Sequence, residues 1–103
     1  MNARLKRIEE YVHEHGIKIR FVETGRLYGY DGMNPEAAKE MGFPRIPANT
    51  IIVDKRLRGN TKYRTILHEI EEMLLMKRRG YKYWRAHKIA FRRETEGLQK
   101  IHF

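Results

Sequence analysis

At 103 residues and without cysteine, the chain has room for one domain with a single modest core, and any metal site in it must be built from histidine and carboxylate. Charged residues make up 34% of it and the formal charge is +9. That balance would suit a polyanionic partner or, more simply, a solvated basic surface, and the excess of Glu over Asp leans towards a thermophile's ion-pair-rich exterior. No apolar run approaches the length of a membrane span, and Leu5-Lys6-Arg7-Ile8-Glu9 is too charged for a secretion signal. A cytoplasmic protein is therefore expected, as monomer or dimer.

The first element in the chain is a helix over Arg4 to His15, with Leu5, Ile8, Tyr11 and Val12 at helical spacing and Gly16 as its stop. Ile17-Lys18-Ile19-Arg20-Phe21 alternates apolar and basic and predicts a half-buried strand. Between Gly25 and Gly32, Leu27-Tyr28-Gly29-Tyr30 suggests a turn and a short second strand. Asn34-Pro35-Glu36 opens a helix, with a capping side chain, proline in the first position and an acid in the first turn. Gly42 should end that helix, and Pro44 and Pro47 impose an extended connection. Thr50 to Asp54 predicts a third strand, Thr61 to Gly80 a long helix, and Tyr81 to Glu94 a last one, broken at Gly97. This is an α+β order with a short three-stranded sheet, read as one domain over residues 1–97 and a tail over 98–103.

The long helix carries His68-Glu69-Ile70-Glu71-Glu72. Residues four apart lie on one helix face, so His68 and Glu72 could grip one metal with Glu69 beside it to handle a water proton. On the helical wheel Tyr63, Ile66, Leu67, Ile70, Met73 and Leu74 form the core stripe. His68, Glu69 and Glu72 fall opposite, in company with Leu75 and Met76, which predicts that a second element covers this face too. Glu71 points between the faces and reads as ordinary surface. The third ligand is sought on the last helix, where His87 shares a stripe with Tyr83, Ala90 and Glu94 and where Ala90 would permit close helix packing. His68, Glu72 and His87 then supply two nitrogens and one oxygen to a zinc ion, with a fourth position open for water. Glu69 would serve as general base, and Glu94 as a partner orienting a ligand or as a competing third ligand. Tyr63, Tyr81 and Tyr83 are candidates to stabilise an oxyanion.

With these residues, followed by Ala86-His87-Lys88-Ile89-Ala90 and Glu94, the chain resembles the minigluzincins, very small zincin-type metallopeptidases related to the catalytic domains of membrane-bound ones. The likeness extends over most of the chain and takes in its length, its element order and the Ile51-Ile52-Val53-Asp54 strand ahead of the motif helix. It implies a zincin-like fold, peptide-bond hydrolysis, His68 as first ligand, Glu69 as base and His87 as third ligand. Glu72 departs from the pattern, since a second histidine is usual there, and its negative charge would weaken the zinc as a Lewis acid. In the resembled family C-terminal segments impose latency, which implies that His102 in the tail could occupy the open metal position.

Thr50 to Asp54 is also a candidate edge strand, where Ile51, Ile52 and Val53 could pair with a peptide or protein substrate; a buried core strand is the other reading. Glu10-Tyr11-Val12-His13 has the Glu-x-x-His spacing of di-iron helices but lacks the second copy such sites need. Two rival functions follow from the same chain. One is a zincin-derived scaffold that binds metal without chemistry. The other is a nucleic-acid-binding module, in which basic residues from Lys77 to Arg93 interleave with Tyr81, Tyr83 and Trp84.

Overall fold

Thr50-Ile51-Ile52-Val53-Asp54 is apolar towards both of its sides, and the fold is assembled around it. In the computed structural model, which describes residues 3–101 and the side chains of residues 6–93, the elements run α1 (Ala3–His15), β1 (Lys18–Val22), β2 (Gly32–Met33), α2 (Pro35–Met41), β3 (Thr50–Asp54), α3 (Gly59–Arg79) and α4 (Tyr83–Ile101). The strands form one sheet in the order β1-β3-β2. β1 runs parallel to β3, with Ile19 opposite Ile51 and Phe21 opposite Val53. β2 is antiparallel to β3, with Gly32 opposite Val53 and Met33 opposite Ile52.

Side chains alternate across a strand, so β3 feeds two cores. Ile51 and Val53, fully buried, join Ile8, Ile17, Ile66, Leu67, Ile70 and Met73 between α1, the sheet and α3. Ile52 faces the other way, against Leu27, Met33, Ala37, Ala38 and Ile46. The motif helix therefore meets apolar residues on both sides: its main stripe enters the first core, and Met76 packs on the second. Gly80 ends α3 in the left-handed conformation (φ 68°), with its N–H on the Met76 carbonyl. The chain then folds back along α3, and Ala86 and Ala90, both 0% exposed, let α4 approach closely.

Four expectations are corrected. Of the turn and short strand expected within Gly25–Gly32, the turn is there, but Leu27–Tyr30 is no strand, because Gly25, Tyr28 and Gly29 all take positive φ. That makes the segment a turn which tucks Leu27 into the second core, and the pairing residues are Gly32 and Met33. Of the two readings of Thr50–Asp54 the buried core strand holds and the edge does not: β3 is central, flanked on both sides, and the strand at the margin on the α2 side is β2. The last helix starts at Tyr83 and continues through Gly97 to Ile101. A single glycine costs a helix only about 1 kcal/mol, and Leu98, Gln99 and Lys100 beyond it are good helix formers.

Glu71 is not on the surface. It is 6% exposed and accepts hydrogen bonds from the Tyr11 hydroxyl (2.6 Å) and Arg93 Nη1 (2.9 Å), with Arg7 Nη2 at 3.6 Å. It joins α1, α3 and α4 through one carboxylate. Burial and the bond to Glu71 push the Tyr11 hydroxyl pKa up, which keeps it a donor.

Candidate metal centre

Three side chains from two helices meet at one point. His68 and Glu72 stand one turn apart on α3, and His87 reaches them from α4. His68 Nε2 lies 2.9 Å from Glu72 Oε2, His87 Nδ1 lies 2.9 Å from the same oxygen, and the two ring nitrogens are 3.1 Å apart. The imidazoles meet edge to face, with centroids 4.7 Å apart. Glu72 is 1% exposed and His68 8%, and His87 is half-buried. Among the described residues these three can hold a metal ion.

The contacts themselves favour a cation. A ring nitrogen has either one N–H or one lone pair, directed along a single line. Three such contacts closing a triangle are poorly served by protons lying between the atoms, and a buried carboxylate needs a partner charge. Tetrahedral coordination at about 2.0–2.1 Å places ligand atoms about 3.3 Å from one another, close to the spacing observed. The donor set of two imidazoles and one carboxylate is one that divalent transition metals accept.

α2 organises this centre, a role the sequence does not advertise. Asn34 is its N-cap, in extended conformation, and its Oδ1 accepts from Ala37 N–H at 2.9 Å. The amide nitrogen of the same side chain donates to Glu69 Oε1 and to Glu72 Oε1, both at 3.0 Å. Asn34 is 0% exposed. One amide therefore caps one helix and fixes two carboxylates of another. It leaves Glu72 Oε2 facing the histidines and sets Glu69 beside them. At the far end of α2, Glu40 Oε2 accepts from Tyr83 N–H at 2.6 Å, which positions the first turn of α4. The cap was legible from Asn34-Pro35; the two carboxylates it serves lie 35 and 38 residues away, beyond any local signal.

Tyr83 is the tyrosine that reaches the centre, among the three considered from sequence. Its ring stacks on His87 (centroids 5.2 Å apart), and its hydroxyl is 3.3 Å from His87 Nδ1. Burial raises its pKa far above the ordinary tyrosine value, helped by the negative charge of Glu72 and, less, by Tyr30 and Glu69. Glu94 falls on α4, but its side chain lies outside those described, and His102 lies outside the described residues altogether.

The centre opens into a cleft of ≈ 260 Å³ lined by Tyr30, Asp31, Gly32, Met33, Met41, Thr65, Tyr83 and Phe91 besides His68, Glu69, Glu72 and His87. Gly32 on β2 is pressed against the motif helix: a Cβ there would lie 2.9 Å from Thr65 Cγ2 and 3.0 Å from Glu69 Cγ. Gly32→Ala is expected to cost about 1–3 kcal/mol through overpacking and to push Glu69 out of register. Denaturant melts of the variant check this, and unchanged stability would show that α3 yields without cost. Among the described residues no helix is long and apolar enough to cross a membrane. Comparison of the chain with protein families, with curated proteins and with solved structures finds no match.

Proposed function

We propose that the protein is a zinc-dependent peptidase with Glu69 as its general base. The observation that carries this reading is that one buried amide, that of Asn34, tethers both a carboxylate of the ligand triangle and a second carboxylate next to it. A site that only stored metal would not need the second carboxylate. His68, Glu72 and His87 would hold the ion, and two nitrogens with one oxygen suit zinc. When bound, zinc supplies Lewis acidity at a carbonyl oxygen and makes a water a better nucleophile. Glu69 takes the proton from the attacking water and delivers it to the leaving amine. Tyr83, whose hydroxyl lies 3.3 Å from His87 Nδ1, would donate its O–H to the oxygen on which negative charge develops. The likeness of the motif and of the element order to the minigluzincins points the same way.

Glu72 brings a negative charge where the resembled family usually has a neutral histidine. The hydrogen bond from Asn34 to its other oxygen draws charge away from the ligating one and offsets part of that loss. Cleavage of a fluorogenic peptide library is expected to stop in chelator and to return on adding about one equivalent of zinc. Cleavage that survives full removal of metal would rule the reading out.

A further inference from the structure

The lip of the cleft is more specialised than peptide hydrolysis alone demands. Trp84 and Phe91 are 74% and 60% exposed, and two large rings held open beside one site mark a surface that meets a partner. On α4, Lys88 follows Trp84 by four residues, and Phe91 and Arg92 follow Lys88 by three and four, so the four share one broad face of the helix, with both cations exposed. This face borders the metal ligands. Trp84 stands edge-on to His87, with centroids 6.3 Å apart, and Phe91 lines the cleft with Tyr30 and Met33. At ≈ 260 Å³ the cleft is smaller than the roughly 300–1,000 Å³ of pockets that enclose a whole small ligand. A cleft of this size has room for about one side chain of a larger molecule.

We propose that the substrate is a peptide segment in which a large apolar or aromatic residue is followed by acidic residues. This rests on the peptidase reading. The apolar side chain enters the cleft between Tyr30, Met33 and Phe91, and the neighbouring acids lie over Lys88 and Arg92, with Trp84 covering the chain between. A peptide fits this charge layout better than a nucleic acid. Its reacting carbonyl is neutral, and its acids stand a residue or two away, over the cations. A nucleic acid would have to bring an anionic phosphate to the reacting position itself, against Asp31, Glu69 and Glu72.

Trp84 is the single tryptophan of the chain, so its emission reports binding at the lip whether or not turnover occurs. The zinc-loaded Glu69→Gln protein is titrated with a capped hexapeptide containing one phenylalanine followed by two aspartates. Counterparts carry asparagine for aspartate or alanine for phenylalanine. The aspartate peptide is expected to bind about 5–10-fold more tightly than the asparagine one at low salt, the effect of two exposed charge pairs. That preference should vanish at high salt and in the Lys88→Glu/Arg92→Glu double variant. Replacing phenylalanine should weaken binding about tenfold or more through lost apolar burial.

Equal affinity for the aspartate and asparagine peptides would overturn the proposal, as would tighter binding of a single-stranded oligonucleotide. If the parent cleaves peptides without any such preference, the lip assignment fails and the peptidase reading stands. If the selective binding is found but the parent cleaves nothing, the lip stands as a recognition surface and the peptidase reading fails.

Discussion

Asn34→Ala is expected to lower stability by about 3 kcal/mol, from roughly 1 kcal/mol for the lost helix cap and about 1 kcal/mol or more for each buried carboxylate that loses its donor. In a domain of this size that corresponds to a fall in Tm on the order of 10 °C or more. The size of the effect follows from three bonds on one side chain that is completely buried: Ala37 N–H to Oδ1, and the amide nitrogen to Glu69 and to Glu72. Asn34→Asp separates the parts. Aspartate caps a helix as well as asparagine does, but it cannot donate, and it sets a third carboxylate against Glu69 and Glu72, where like charges repel. If the cap were all that mattered, Asn34→Asp would be nearly neutral in a thermal melt. The structure predicts that it is at least as damaging as Asn34→Ala.

Glu69→Gln should have the largest effect on activity and a small one on metal content. The side chain is not part of the ligand triangle, so His68, Glu72 and His87 remain to hold the ion. Glutamine can still meet the Asn34 amide through its own carbonyl oxygen. What is lost is the ability to take a proton, and general-base catalysis contributes on the order of 10²–10⁴ in rate. Side-by-side measurement of kcat and bound zinc distinguishes this from simple loss of the site. A Glu69→Gln variant that keeps its zinc and cleaves at the parental rate would remove Glu69 from the chemistry. A variant that loses zinc would give it a ligand-holding role in place of a catalytic one.

The parts of this molecule that could be read from sequence are those fixed within a few residues. Asn34-Pro35 and Gly42 bracket α2, Gly80 ends α3, and the His68–Glu72 spacing puts both side chains on one helix face whatever the rest of the chain does. Leu75 and Met76 on that face also announced a covering element, and small residues such as Ala90 announced close packing of the helix that brings His87. What escaped depends on pairings between distant segments. The continuous apolar run Ile51-Ile52-Val53 allowed a buried core strand as well as an edge, but which it is depends on Gly32–Met33 arriving on the second side of β3. Glu71 lies at the margin of the wheel and is buried because Tyr11 and Arg93, 60 residues before it and 22 after, supply it with donors. The turn over Leu27–Tyr30 carries strand-forming residues, but the left-handed conformations at Gly25, Tyr28 and Gly29 override that preference. Gly97 shows the converse: a residue that usually punctuates a helix is carried through because its neighbours favour continuing it.

The central claim is that His68, Glu72 and His87 form one metal site, and elemental analysis after zinc loading and exhaustive buffer exchange tests it most directly. The parent is predicted to retain one zinc per chain, and His68→Ala, Glu72→Ala and His87→Ala each to lose it, while Glu69→Gln keeps it. A parent that retains no zinc, or a His87→Ala variant that retains as much as the parent, would contradict the account.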